Sequence, residues 1–114
     1  MANIYKNKGF ALASTDLTTV YTVPAGRTAI VKSIQASNTH SGNNLVRVSL
    51  TDTSASATYQ FAHDIMATAT TNNAVLSPII MEAGDILKIQ VGTADTIEGI
   101  ISYLEIFDEK SSWY

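Results

Sequence analysis

The sequence has no cysteine, and it holds one tryptophan, two prolines and six glycines among its 114 residues. Without thiols the chain cannot form disulfides, thiolate zinc sites or a cysteine nucleophile, which fits a protein made in a reducing cytoplasm. No apolar run approaches the roughly 20 residues that span a bilayer, and the first residues lack the hydrophobic segment of a signal peptide. We therefore expect synthesis in the cytoplasm and no membrane partner.

Charge is also scarce, because charged residues make up 15% of the chain against 46% apolar residues, and the formal net charge is -3. The 7 basic residues are scattered between Lys6 and Lys110, whereas a nucleic-acid footprint needs Lys and Arg gathered on one face. The sequence therefore predicts no nucleic-acid partner. A surface covered mainly by Ser, Thr, Asn and Gln suits packing against other proteins.

The chain does contain short runs rich in Val, Ile, Thr and Tyr that alternate with a period of two, and no window sustains a helical apolar stripe. The pattern predicts an all-β fold, an antiparallel β-sandwich that is jelly-roll-like. Residues 1–114 are expected to form a single domain, with a possible N-terminal arm over 1–17 and a C-terminal tail over 107–114. The predicted strands cover residues 18–23, 28–37, 45–51, 58–63, 74–81, 86–91 and 97–106.

Two of these runs define which side chains face the core. They place six apolar residues on the buried faces of their strands, namely Val46, Val48, Leu50, Leu87, Ile89 and Val91. The run over 97–106 differs, since apolar residues occupy both of its faces. Such a strand is either central in the core or covered by a partner.

The sequence shows no pattern of a catalytic or metal site. Only His40 and His63 could supply histidine chemistry, and neither lies in a spacing such as HxH or HExxH, so surface or capping roles are expected. No serine lies in a GxSxG or SxxK motif, and most carboxylates stand next to predicted turns, where they commonly cap the backbone. Asp52 and Asp95 do not follow the spacing of a dedicated calcium loop. We predict a protein that is not an enzyme and needs no cofactor or metal.

Several aromatic residues leave alternatives open. Tyr59 and Phe61 share one strand face and form either a core pair or a sugar-stacking platform. The two ends carry more apolar material than solvated tails normally hold, so at least one end is expected to contact a neighbouring subunit, the alternative being a tail folded onto its own sandwich. The predicted interaction residues are Ile4, Tyr5, Phe10, Phe107, Trp113 and Tyr114.

Three stretches carry a resemblance to a known group of proteins. Residues 19–34 (TVYTVPAGRTAIVKSI), 77–90 (SPIIMEAGDILKIQ) and 101–106 (ISYLEI) resemble small jelly-roll structural proteins of tailed bacteriophages, such as capsid decoration or cement proteins and tail- or fibre-associated β-sandwiches. The matching residues are strand and turn positions, so the resemblance implies a fold and a setting and transfers no catalytic residue.

The resemblance implies a virion structural protein made in the host cytoplasm. Its expected place is the outer capsid surface, where it would bind the major capsid protein and other copies of itself, as a homotrimer, and stabilise the shell. The alternative is a tail- or fibre-associated module that binds a host receptor or glycan.

Overall fold

The computed structural model describes residues 3–73 and 77–107, and within them the chain forms strands joined by turns and loops, with no helix. No helix that could cross a membrane is therefore found in the described residues. The strands are β1 (Asn3–Ala11), β2 (Thr18–Thr22), β3 (Arg27–Asn38), β4 (Asn44–Asp52), β5 (Ala57–Met66), β6 (Thr71–Asn73), β7 (Ile79–Met81), β8 (Ile86–Val91) and β9 (Ile97–Phe107).

The strands form two antiparallel sheets that pack face to face. Sheet A has the order β1-β9-β3-β6, with β7 also paired to β3, and sheet B has the order β2-β8-β4-β5. Several neighbouring strands come from distant parts of the sequence, as in β1 with β9 and β2 with β8, whereas β4 and β5 are consecutive. The predicted all-β, jelly-roll-like sandwich is confirmed.

The core lies between the sheets and follows the period-two alternation of the strands. Five of the six predicted core residues are buried, and the sixth, Leu50, is partly buried and packs against them. Sheet A supplies the opposite wall, mainly from β3 and β9, with the side chains of Ala29, Val31, Ile34, Ile97 and Ile101. Burial of this kind contributes about 25 cal/mol per Å² of apolar surface and is the main source of stability.

Two glycine turns meet at one end of the sandwich. Gly26 and Gly84 have φ values of 74° and 87°, a region that glycine enters without steric cost. The turns are joined by backbone hydrogen bonds, since Val23 N–H donates to the Asp85 carbonyl and Gly84 N–H donates to the Val23 carbonyl, each at 3.0 Å. The turns that contain Ala25-Gly26 and Ala83-Gly84 thus form one contact between the end of β2 and the start of β8.

Two parts of the chain differ from the sequence-based expectation. Residues 3–11, expected in an arm, form strand β1 and pair with β9 from Asn3 to Ala11. Seven of its nine residues are exposed, so β1 has little apolar alternation and periodicity alone does not reveal it. Of the predicted strand over 74–81, residues 74–76 lie outside the described residues, and among residues 77–81 strand β7 covers Ile79–Met81.

Candidate interaction surface

The outer face of sheet A carries a line of apolar side chains that crosses four strands. Tyr5 of β1 pairs with Leu104 of β9, Leu104 with Ile30 of β3, and Ile30 with Ile80 of β7. Tyr5 is 75% exposed and Ile80 is 67% exposed, while the two central members are half-buried. We call Tyr5, Leu104, Ile30 and Ile80 the apolar row. Isolated exposed apolar residues are ordinary, but a contiguous set marks a surface that contacts a partner.

Two further rows follow the apolar row along the same face. The middle row consists of Asn7, Ser102 and Ser33, and the third row consists of Gly9, Ile100 and Gln35. The third row borders an open hollow of about 570 Å³, whose lining residues are Gly9, Phe10, Ala11, Ser37, Glu98, Gly99 and Ile100. The small residues of β1 and β9 leave this part of the face recessed.

Gly99 forms the floor of this recess because β9 approaches β3 very closely there. A Cβ atom at Gly99 would lie 1.9 Å from the Gln35 carbonyl oxygen and 2.8 Å from the ring of Phe10. No side chain fits at such distances without moving the backbone. Glycine at this position therefore fixes both the strand spacing and the depth of the hollow.

The outer face of sheet B is mostly polar. One of its register lines joins His63, Arg47 and Gln90, and the next joins Gln60, Ser49 and Lys88. The hydroxyls of Thr51 and Thr58 are 2.7 Å apart and share a hydrogen bond. Apolar residues reach this face at its margins, as with Ile65, which is 62% exposed. The two outer faces of the sandwich therefore differ in chemistry.

A buried carboxylate joins four strands inside the sandwich. Glu105 of β9 is 1% exposed. It accepts hydrogen bonds from the Tyr21 hydroxyl at 2.5 Å and Arg27 Nη1 at 2.7 Å, and Lys6 Nζ lies 3.1 Å away as an ion-pair partner. We call Glu105, Tyr21, Arg27 and Lys6 the Glu105 cluster. Because Tyr21 belongs to sheet B, this cluster ties the two sheets together and also holds β1 in place.

The contacts within the Glu105 cluster shift the pKa values of Glu105 and Tyr21. Burial raises the pKa of Glu105, but hydrogen bonds from Tyr21, Arg27 and Lys6 outweigh this effect and hold the pKa below its usual value. Burial and the hydrogen bond to Glu105 raise the pKa of Tyr21 far above its usual value. Both groups keep their ordinary charge states at neutral pH. The carboxylate is fully engaged by its partners, so the cluster serves to hold strands rather than to transfer protons.

Three carboxylates lie close together near the glycine turns, with oxygen atoms of Asp52, Glu82 and Asp85 within 4.8 Å of one another. Asp52 accepts hydrogen bonds from Ser54 and Ala55 of its own turn. Buried Asp85 accepts hydrogen bonds from the Glu82 and Thr53 backbone N–H groups. Turn capping accounts for Asp52 and Asp85, as the sequence suggested for carboxylates near turns.

The histidines lie apart on the surface: His63 is exposed on β5, with its Nδ1 3.4 Å from Gln60 Nε2, and His40 is half-buried in the loop after β3. Phe61 packs against the core, whereas Tyr59 is 57% exposed. Tyr59 lies opposite Leu50, and a bulge in the pairing of β4 with β5 separates it from Phe61. They therefore form neither the core pair nor the two-ring sugar platform that parity suggested.

The predicted interaction residues fall into three groups. Ile4 and Tyr5 are exposed on β1. Phe10 and Phe107 are half-buried inside the molecule, where Phe10 packs against the core and Phe107 lies 4.2 Å beneath the Arg27 guanidinium carbon. Trp113 and Tyr114 lie outside the described residues.

The sequence did not single out Leu104, Ile30 or Ile80, the other members of the apolar row. Leu104 and the exposed Ile100 were signalled only by the apolar character of residues 97–106 on both faces. The structure gives the reason for that pattern, because β9 is central in sheet A and also contributes to its outer surface.

Comparisons with known proteins find similarity in fold. No family model matches the sequence, and no curated protein sequence matches it. The fold is similar to that of a chain from the T13 IBDV viral particle, with a TM-score of 0.56 and 9% identity over 90% of this chain and 30% of that chain. This chain thus spans about a third of the length of that capsid chain.

A second similar structure belongs to Bacillus endospore appendages described as disulfide-linked pili, with a TM-score of 0.54 and 11% identity over 92% of this chain and 87% of that chain. A pentameric capsid protein from metagenomic phage sequences aligns with a TM-score of 0.48 and 17% identity over 93% of this chain and 62% of that chain. At these identities the first two similarities establish a shared sandwich fold.

Proposed function

We propose that the chain is a structural protein of a bacteriophage particle, a decoration or cement protein that binds the outer face of the capsid and stabilises the shell. The observation that carries the proposal is the contrast between the two outer faces. Sheet A presents the apolar row, and sheet B presents mainly polar side chains. A protein with one apolar and one polar face is suited to lie on an assembly with the polar face toward solvent.

The fold similarity to a chain of a viral particle supports this setting. So does the chemistry of the described residues, in which the buried ionisable cluster is closed by its own partners and turn capping accounts for Asp52 and Asp85 of the acidic cluster. The proposed partners are the major capsid protein and further copies of the chain. The mechanism is mass action, since a protein that binds only the assembled shell stabilises it by the free energy of that binding.

The contact with the shell is proposed to involve the end of the sandwich where β1 begins and β9 ends. Asn3 and Ile106 are paired there, next to Arg27 and Phe107. Exposed Ile4 and Tyr5 lie at this end, and residues 108–114, with Trp113 and Tyr114, follow from it. Aromatic anchors at interfaces commonly contribute about 2 kcal/mol or more each.

Counting the copies of the chain in purified particles tests the proposal. We expect hundreds of copies per particle by quantitative mass spectrometry, with immunogold labelling over the head. A second protein that ends at Phe107 should melt like the full chain but occupy particles less, because the described fold is intact and the terminal aromatics are gone. Absence of the chain from particles would refute the proposal. A lowered melting temperature with full occupancy would instead refute the role of residues 108–114.

The second candidate is a tail- or fibre-associated module that binds a host receptor or glycan. It is favoured by the near whole-chain similarity to the subunit of Bacillus appendages, of which 87% is covered, and by the exposed ring of Tyr59. This candidate predicts a few to a few dozen copies per particle and labelling on the tail. It also predicts glycan binding that is lost in Tyr59→Ala, whereas the decoration role predicts none.

A further inference from the structure

The three rows on the outer face of sheet A are evenly spaced about Ser102. Leu104 of the apolar row and Ile100 of the third row lie two residues on either side of Ser102 along β9. Ser102 pairs with Asn7 on one side and Ser33 on the other, so the middle row consists of small polar residues. The apolar row and the third row therefore lie at equal distances on either side of the middle row.

We propose that this face binds a second copy of the same chain through a two-fold axis that lies in the contact plane and runs along the middle row, over Ser102. Rotation about such an axis places the apolar row of each copy over the third row of the other. Leu104 then lies over Ile100 of the second copy, and Tyr5 lies over Gly9 of the second copy, beside the hollow. A contact of this kind is isologous, because both copies use the same surface twice.

The shape of the face favours a copy of itself over an unrelated partner. The exposed ring of Tyr5 needs a recess, and the hollow of about 570 Å³ borders Gly9 on the same strand and the same face. The middle row supplies hydroxyl and amide groups that can hydrogen-bond across the axis. One surface thus carries both halves of a complementary pair.

Charge and size also agree with pairing between copies. The charged residues on the strands of this face that point outward by alternation are Lys32 and Glu98, one of each sign, so two such faces do not repel each other. The face is four strands wide, with about 4.8 Å between strands, and as long as the 11 residues of β9, which rise about 3.3 Å each. Its area is therefore roughly 700 Å². This area is close to the ~800 Å² per partner of a standard stable interface.

The inference concerns the free chain and does not depend on the virion role. Pairing covers the apolar row that the proposed decoration role turns toward the shell, so one copy makes one of these two contacts at a time. Pairing can fail while the protein still decorates particles, and pairing can occur in a protein that is absent from them. It also differs from the homotrimer expected from the sequence, because a three-fold assembly uses two different surfaces of each copy.

Sedimentation equilibrium of the purified full chain, together with matched variants, tests the pairing. We expect a monomer–dimer equilibrium, and Tyr5→Ser should raise its dissociation constant by at least about tenfold. In a two-fold dimer the substitution removes one aromatic ring from each copy and therefore two from the contact. Tyr59→Ser, the same change at an exposed tyrosine of sheet B, should leave the dissociation constant unchanged. Far-ultraviolet dichroism and melting confirm that both variants are folded.

Cross-linking locates the axis in a chain that has no cysteine of its own. Ser102→Cys and Gln90→Cys place one thiol on the outer face of sheet A and of sheet B, respectively. A bismaleimide with a reach of about 10 Å, the distance between packed sheets, should convert Ser102→Cys to covalent dimers and leave Gln90→Cys monomeric. A monomer at all concentrations, a trimer mass, equal cross-linking of both variants, or equal effects of the two tyrosine changes would overturn the inference.

Discussion

The hydroxyl of Tyr21 in sheet B donates a 2.5 Å hydrogen bond to the buried carboxylate of Glu105 in sheet A. It is a polar contact between sheets whose facing side chains are mainly apolar. Tyr21 also stacks on Tyr103, with ring centroids 4.5 Å apart, so its ring remains packed when the hydroxyl is removed.

Tyr21→Phe removes this hydrogen bond alone. We expect the free energy of unfolding to fall by about 2 kcal/mol, because hydrogen bonds to a charged group contribute about 1.5 to 3 kcal/mol and the carboxylate stays buried. Urea denaturation followed by circular dichroism measures the change. Tyr59→Phe is the control, since that tyrosine is exposed on β5 and should lose at most a few tenths of a kcal/mol. Equal stabilities of the two variants would show that the bond contributes nothing.

The Glu105 cluster should make stability depend on acid. The pKa of Glu105 lies below its ordinary value of 4.5 in the folded protein, so the stabilisation is complete above that value and is lost as the pH falls through the folded pKa. Denaturation midpoints measured from pH 6 downward should therefore fall more steeply for the parent than for Glu105→Gln. Glu98→Gln changes an exposed carboxylate on the same strand and should keep the steep dependence. A parent and a Glu105→Gln variant with parallel profiles would contradict the assignment.

Gly99 and Gly9 offer a matched pair of glycines on adjacent strands. A Cβ at Gly99 would meet the Gln35 carbonyl oxygen at 1.9 Å, whereas at Gly9 the nearest contact is 3.8 Å. We expect Gly99→Ala to cost about 3 kcal/mol through backbone displacement, and Gly9→Ala to be neutral or slightly stabilising. Thermal melting of the two proteins decides this. If both melt like the parent, β9 and β3 are further apart at this point than described.

Val48→Asp tests the core register. The side chain of Val48 is completely buried at the centre of sheet B, and an unpaired charge there costs several kcal/mol against a total stability of about 5 to 15 kcal/mol. The variant should be largely unfolded by circular dichroism at room temperature. Gln60→Asp, an exposed change on the neighbouring strand, should remain folded. A cooperative melt of Val48→Asp near that of the parent would contradict the register.

Periodicity predicted the sandwich and its core because a strand with alternating apolar and polar residues has one apolar face, and two packed sheets bury such faces between them. The six core residues of β4 and β8 followed directly from that rule. Strand β1 did not, since seven of its nine residues are exposed and its position depends on backbone pairing with β9. An edge strand of this kind leaves almost no hydrophobic signal.

The candidate surface was only partly accessible from the sequence. Tyr5 was among the predicted interaction residues, and the two-sided apolar pattern of residues 97–106 indicated a central strand or a covered one. The alignment of Tyr5, Leu104, Ile30 and Ile80 required the register of four strands. The Glu105 cluster was missed for the same reason, because a lone Glu in an apolar strand gives no indication of partners on three other strands.

The pairing of β1 with β9 has a consequence for how the protein folds as it is synthesised. Ribosomes add about 5 to 20 residues per second, so β1 waits for several seconds until its neighbour has been made. During that time sheet A lacks the strand that joins β1 to β3, and the buried carboxylate of β9 is not yet available to Lys6. Such non-local pairing slows folding. Completion of the sandwich is therefore a late event that depends on the synthesis of β9, and β1 remains open to chaperones or sister chains until then.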